Sequence, residues 1–373
     1  MRVDAGSPGP LNRPRGQGAL GTFEWVQNER PLRVAVVLLD PENAYQRLLH
    51  TALAEHGVST LPGRPTPWWV WRRRADFDVM HLHWIEFLLN RRGGPPLAFA
   101  ALLTAVSSLV VARLLGKRVV WTVHNPQPHD GTYPRLESAL FRAAARLSDV
   151  LVVHTETSAA LVRARLPAGG RIVVIPHGNY IGAYPPAAAG RDATRARYGL
   201  RDDDLVLLAF GQVRPYKRLL DTARALRELD DERLRLVVVG RQTDPEEAQQ
   251  LREVAAGEPR IVLDLRHVPD AEVSALHAMA DACIAPYVAG FASGALLLGL
   301  SHGLPVLAPT DNTASEVALP EALIEFTGGD LAAAVAELRR RPAERMRAAA
   351  LASAERVPWS ASAQALVRAY RGV

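Results

Sequence analysis

Short apolar runs of strand length recur along this chain, each followed by a segment long enough for a helix, and the pattern is met twice. LRVAVVLLD (32–40), DVMHLHW (78–84), KRVVWTVHN (117–125), DVLVVHT (149–155) and RIVVIPHG (171–178) make the first set. LVLLAFG (205–211), LRLVVVG (234–240), IVLDL (261–265), ACIAPY (282–287) and PVLAP (305–309) make the second. Unbroken apolar character marks strands covered on both faces, and strands separated by crossover helices run parallel. The expectation is an α/β protein of two doubly wound domains, over 31–185 and 186–356. The proline- and alanine-rich IGAYPPAAAG (181–190) reads as the linker. At 373 residues, 48% of them apolar, the chain is long enough to fill two cores. VPWSASAQALVRAY, within a closing segment 357–373, has helical spacing at Ala361, Leu366, Val367 and Tyr370, and this helix can pack across either domain.

Residues 1–30 contain GSPGP and NRPRGQG and no apolar run long enough for a signal peptide, so they read as a flexible tail. The single cysteine, Cys283, excludes an internal disulfide and sits in the apolar ADACIAPY as an expected core residue. A reducing, cytoplasmic setting follows, with attachment to the inner face of the membrane as the alternative. Leu97 to Ala112 is uncharged over 16 residues. Arg113 and Gly116-Lys117-Arg118 close it before ~20 apolar residues accumulate. A buried helix is expected, and a helix resting on the bilayer surface is the other reading.

The formal net charge of +5 is unevenly spread. Residues 31–185 hold 17 basic and 10 acidic side chains, whereas 186–356 hold 21 and 26. No zinc-finger spacing, base-reading helix or RNA-binding aromatic strand accompanies the basic half, which argues against nucleic acid. An anionic membrane or a phosphorylated acceptor suits it better.

Doubly wound sheets bind ligands beyond the carboxyl ends of their strands. After the strand at 205–210 the chain reads GQVRPYKRL, a glycine turn that delivers Arg214 and Lys217 to the next helix. Of the 44 basic residues only Lys117 and Lys217 are lysine, so Lys217 invites a reading as a compact ammonium on a phosphate. A solvated cation at a helix start is the bland alternative. Ser293-Gly294 opens an apolar helix whose free amides attract phosphate, although an ordinary helix cap has the same sequence. His81 and His83 alternate on a strand with Glu86 beyond them. Acceptor contact is the expectation there, ahead of zinc, for which a third ligand is not evident. His177 reads as a hinge residue. PWWVWRRR (67–74) suits a bilayer interface, a stacked sugar or a tryptophan-filled core.

The second half resembles the nucleotide-sugar domain of bacterial GT-B glycosyltransferases of family four. GQVRPYKRLLDTARAL, LRLVVVG, VPDAEVSALHAMADACIAPY and SGALLLGLSHGLPVLAP follow in that family's order. In the first half NAYQRLLHTALAEHGV, HLHWIE and GKRVVWTVHN are similar to one bacterial branch, and the likeness covers about residues 32–320. It implies two Rossmann-like domains facing a cleft. It also implies sugar transfer from a UDP- or GDP-linked donor to a glycan, lipid-linked saccharide or small-molecule hydroxyl, with retention and with neither cofactor nor metal.

Donor contacts implied by the resemblance are Gly211, Gln212, Arg214, Lys217, Gly240, His267, Val268, Tyr287, Ser293, Gly294 and Ala295. Acceptor contacts are His81, His83, Trp84, Glu86, Trp68, Trp69 and Asn125. Lys217 and Arg214 would take the leaving diphosphate, His124 would meet the donor sugar, and Glu86 or Asp130 would act as base if the reaction inverts. The family's paired glutamates fall at Gly290 and Leu298, so neither carboxylate is present. A silent GT-B binding protein, or another GT-B enzyme such as an epimerase or phosphorylase, stays open at this point.

Overall fold

The computed structural model describes residues 31–89, 94–125, 133–167, 169–287, 294–327 and 330–373. The expected tail, Asp130, Gly290 and Ser293 lie outside the described residues. The first domain runs β1 (Leu32–Val37), α1 (Ala44–Glu55), β2 (Val58–Gly63), α2 (Pro67–Arg72), β3 (Val79–Leu82), α3 (Gly94–Leu114), β4 (Arg118–Thr122), α4 (Pro134–Leu147), β5 (Val150–Val153), α5 (Glu156–Arg165) and β6 (Arg171–Val174). The second runs α6 (Arg191–Arg197), β7 (Leu205–Phe210), α7 (Leu219–Arg227), β8 (Leu234–Val239), α8 (Pro245–Ala256), β9 (Ile261–Asp264), α9 (Asp270–Ala278), β10 (Ala282–Ile284), α10 (Gly294–Ser301), β11 (Val306–Pro309), α11 (Ala314–Val317), β12 (Leu323–Phe326), α12 (Leu331–Arg340) and α13 (Ala343–Glu355). A last helix, α14, spans Trp359–Arg371.

Each domain holds one six-stranded sheet, ordered β2-β1-β3-β4-β5-β6 and β12-β11-β10-β7-β8-β9. Every strand pairing between them is parallel. Side chains leave alternate faces of a strand, and the cores follow that period. Val34 and Val36 face one apolar layer of the first sheet while Ala35 and Val37 face the other. Val206 and Leu208 are divided from Leu207 and Ala209 in the same way. Strand order reverses between β1 and β3 and between β7 and β10, and these two crevices are where such sheets take ligands.

Helix starts follow local chemistry. Asn43, Thr66, Thr155 and Asp244 each accept a hydrogen bond from a backbone N–H in the first turn of α1, α2, α5 and α8. Helix α14 lies on the first domain, beside α1. Its Ala363, Leu366, Ala369 and Tyr370 share one buried layer with Val34, Leu49, Leu53 and Val120, each large apolar side chain contributing about 1.5–3 kcal/mol. Tyr370 adds a hydrogen bond between its hydroxyl and His81 Nδ1 at 2.6 Å.

Helix α3 departs from the buried helix expected of its sequence. Only 33% of its most apolar 18-residue window is covered. The sheet shields one stripe of it, and nothing among the described residues shields the opposite stripe.

Candidate active site

At the β7/β10 crevice two glycines set the backbone. Gly240, ending β8 at φ +150°, has no room for a side chain, because a Cβ there would stand 2.0 Å from the Gly211 carbonyl oxygen. Gly211 itself takes φ +106°, and a Cβ on it would lie 3.0 Å from Lys217 Nζ. The following loop is tied down by the Val213 amide, which donates to the Arg241 carbonyl at 3.0 Å, and by Thr243 Oγ1, which donates to the Val213 carbonyl at 3.0 Å. A 3-10 turn, Pro215–Lys217, then returns Lys217 over the strand end. Withdrawal from water, with the Arg214 charge adding to it, pulls the Lys217 ammonium down to about 8. Lys217, Tyr287 and Ala295 line one small cavity of about 20 Å³ between β7, β10 and the start of α10. That space suffices for a single water.

The β1/β3 crevice is built of rings. His83, His124, His154 and His177 stand just beyond β3, β4, β5 and β6, one per successive strand. Their ring centroids step across the sheet edge at 5.3, 5.6 and 5.3 Å, close to the strand spacing. Tyr45, buried at the start of α1, lies 4.8–5.9 Å from His83, His124, His154 and His177 and is flanked by Trp84 and Trp359. Trp84 stacks on His124 at 4.0 Å and 8°. It does so from a left-handed backbone, φ 37° and ψ 51°, a conformation that costs on the order of 1–3 kcal/mol outside glycine.

All of these imidazoles are neutral near pH 7. Burial pulls His154 to about 4, and burial with repulsion from other imidazoles pulls His177 and His81 to about 3 and His83 and His124 well below the ordinary value. His83 Nδ1 and His124 Nε2 share a hydrogen bond at 3.0 Å, and His81 Nε2 meets Thr122 Oγ1 at 2.8 Å. The row can donate and accept hydrogen bonds but carries no charge to hold a phosphate.

Glu86 lies on the 3-10 turn Ile85–Leu88. Burial raises its carboxyl above the usual range, opposed by the Asn125 amide, whose Nδ2 lies 3.5 Å from Oε1, and by the Arg214 charge. A carboxylate from the first domain and a guanidinium from the second thus act on each other across the cleft. Further contacts join the domains. Glu316 on α11 accepts from the Glu156 and Thr157 amides at 2.6 and 3.0 Å, placing its carboxylate at the positive end of α5. Arg47 pairs with Asp270 at 3.3 Å. Gly294 opens α10 against the Tyr180 hydroxyl and His177 Nε2, with 3.0 and 3.7 Å left for a Cβ.

Two family descriptions match the chain in tandem. The one for glycosyltransferase family 4 covers residues 30–179 and the one for glycosyl transferases group 1 covers 204–341. The chain belongs to the family-4-like group 1 glycosyltransferases. A relative from Xanthomonas campestris pv. campestris, GDP-mannose:glycolipid 4-beta-D-mannosyltransferase, is 30% identical over 244 residues. That alignment covers 65% of this chain and 64% of the relative, just under two thirds of its length. Among solved structures, Anabaena HepE in complex with UDP-glucose superposes with a TM-score of 0.69 at 14% identity, over 92% of this chain and 100% of that one. Sucrose-phosphate synthase from Thermosynechococcus elongatus gives 0.67 at 16% identity, over 91% and 98%. These likenesses establish the two-domain GT-B fold.

In this chain the residues expected to meet a donor, Gly211, Lys217, Gly240, Tyr287, Gly294 and Ala295, gather around the β7/β10 crevice, with Arg214 beside them. Gln212 is exposed on the turn. His267 and Val268 follow β9, two strands away, and Val268 packs on the core. Leu298, at one glutamate position of the family, is buried in the core and 4% exposed. His81, His83, Trp84, Glu86, His124 and Asn125 do come together on the opposite side.

Trp68 and Trp69 do not join them, which corrects the expected acceptor set. Trp69 stacks on Phe77, which precedes β3 at the end of the sheet remote from His83, and Trp68 stacks on the exposed Trp71. His177 is more than a hinge, since its ring closes the row. No group of three or more metal-ligating side chains occurs among the described residues, so His81 and His83 form no such cluster there. Tyr45, His154 and Trp359 were not foreseen. His154 had a signal, because DVLVVH places a histidine after an apolar run as HLH and TVH do; Tyr45 and Trp359 had none, being brought in by α1 and α14 from outside the strand ends.

Proposed function

We propose that this chain transfers a hexose, of the mannose type, from a GDP-linked donor to a hydroxyl of a glycolipid, forming a β-linkage. The donor, acceptor and linkage follow the Xanthomonas relative's name. The observation that carries the chemistry is Glu86 opposite Arg214, a carboxylate lifted by burial and facing a cation of the other domain.

A β-linkage made from an α-configured sugar nucleotide requires inversion, and inversion requires a base on the face away from the leaving group. In this reading Glu86 takes the proton of the acceptor hydroxyl while its oxygen attacks the anomeric carbon. The bond from that carbon to the phosphate oxygen breaks, and its electron pair leaves with the diphosphate as GDP. Arg214, Lys217 and the first amides of α10 balance the charge that grows there, each such donor amounting to roughly 100-fold in rate. The charge is met by protein cations, without a metal ion. His124 Nε2 is engaged by His83, so Nδ1 is left to meet a sugar hydroxyl. Trp84 offers the apolar face of a ring to the sugar.

The test is incubation of the purified chain with GDP-mannose and a short-chain glycolipid, following GDP release and the anomeric configuration of the product by NMR. A β-product supports the assignment. An α-product would remove Glu86 as base and restore the retaining mechanism that the family resemblance implies. GDP binding without turnover on any acceptor would favour a silent binding protein, the reading that Leu298 in place of a glutamate keeps in view.

A further inference from the structure

Helix α3 is apolar on both faces, and among the described residues only one face has a protein partner. Leu102, Ala105 and Leu109 are buried in the core layer of the first sheet, whereas Leu97, Phe99, Leu103, Val110 and Leu114 are 39–80% exposed. A helix apolar all round is ordinarily covered all round. Two neighbouring elements extend the uncovered surface. Helix α2 packs along α3 and carries Trp68 and Trp71, 64 and 47% exposed and stacked at 5.1 Å; the Ile85–Leu88 turn touches α3 and carries Phe87, 51% exposed. Contiguous apolar surface of this kind marks a binding face.

Its surroundings identify the partner. Arg64, Arg72 and Arg74 are exposed, and none pairs with a carboxylate among the described residues; the Arg74 guanidinium sits 4.9 Å over the Trp71 ring. Seventeen basic against ten acidic residues over 31–185 put the excess positive charge on this domain. Indole rings and guanidinium groups bordering an aliphatic stripe match the boundary between lipid headgroups and acyl chains. Phosphate headgroups answer the exposed arginines.

We propose that α2, α3 and the Ile85–Leu88 turn form a seat by which this chain rests on an anionic lipid bilayer. Helix α3 lies along the surface, its 21 residues reaching about 31 Å, and does not cross, because its inner stripe is fixed to the sheet. Phe87 adjoins Glu86, so the seat brings the acceptor side of the cleft to the level of the headgroups. The inference rests on the glycolipid reading only for this last consequence.

The full chain would be floated with vesicles of phosphatidylcholine alone or mixed with phosphatidylglycerol, without donor or acceptor. Binding is expected to the mixed vesicles, weakening with salt. It should fall about tenfold or more in Arg72→Glu/Arg74→Glu and be lost in Leu103→Glu/Val110→Glu, with an unchanged circular-dichroism spectrum and melting temperature as the check on folding. The arginine pair is wholly exposed and tests the seat even if the α3 variant fails to fold. Absence of wild-type binding to mixed vesicles overturns the proposal, as does binding that both variants retain. So does a wild-type dimer dispersed by Leu103→Glu/Val110→Glu without vesicle binding, which would make the face a protein contact. Vesicle binding without transfer would leave the seat standing and overturn the proposed function; transfer to a water-soluble acceptor without vesicle binding would do the reverse.

Discussion

Where the second sheet changes direction the chain presents glycines and cations; where the first sheet changes direction it presents rings. Gly211, Gly240, Arg214 and Lys217 make the one crevice, Tyr45, His83, Trp84 and His124 the other. The two sheets are both doubly wound, so topology fixes where a ligand lies and not what it is. The residue that follows each strand decides that. Burial has removed charge from the row of imidazoles and left it on Arg214 and Lys217, so a molecule with a diphosphate at one end and a sugar at the other has one favourable orientation in the cleft.

Replacing Glu86 breaks the comparison on the side of the rings. Glu86→Gln keeps the shape and removes the base, so kcat should fall on the order of 10²–10⁴-fold while GDP affinity stays constant by calorimetry. A rate that survives would move the base elsewhere. The wild-type rate should also decline on the acid side as the Glu86 carboxyl, raised by burial, takes up its proton. Next in size is Lys217→Ala, expected to cost roughly 100-fold in kcat/KM together with GDP affinity. Because Lys217 titrates at about 8, GDP binding should be full below that pH and weaken above it, and the mutant should lose this slope. An unchanged slope would place the titrating group outside the diphosphate seat.

The smallest effect per group is on stability. His81, His154 and His177 stay neutral down to about 3–4 in the folded chain, whereas the unfolded chain protonates them near 6.5. Their folded values are depressed, so the stability they leave intact above pH 6.5 is lost as pH falls toward 4, by about 1.4 kcal/mol per unit per histidine. Urea unfolding at pH 7 and pH 5.5 reads this directly. Equal midpoints would mean that the row is open to water.

How much of this was legible follows from where each strand sits. LVLLAF and LRLVVV, in the middle of the second sheet, are covered on both faces and read as continuous apolar runs. The two strands that went unread, β2 (VSTLPG) and β12 (LIEF), are both sheet edges. An edge needs less apolar covering and tolerates Pro62, so its sequence looks like a loop. The diphosphate seat was legible because it is local, a glycine and two cations within seven residues. The aromatic box was not, because Tyr45, His154 and Trp359 come from α1, the end of β5 and α14, and only the completed sheet sets the His154 and Trp359 rings within 6 Å of Tyr45. The outer face of α3 escaped for the opposite reason. Composition reports that a helix is apolar, not whether a neighbour covers it.

The return of α14 to the first domain bears on the order in which the molecule is assembled. His81 and Tyr370 are 289 residues apart and hydrogen-bonded in a buried layer, so this face of the first sheet is sealed only after 289 further residues have been made. Until then Val34, Val36 and Leu49 face water on that side, a long-lived exposed surface for a chain made at ~5–20 residues per second. Gly178 adds to the dependence, since the Trp359 ring occupies the space where a Cβ would stand 2.2 Å away.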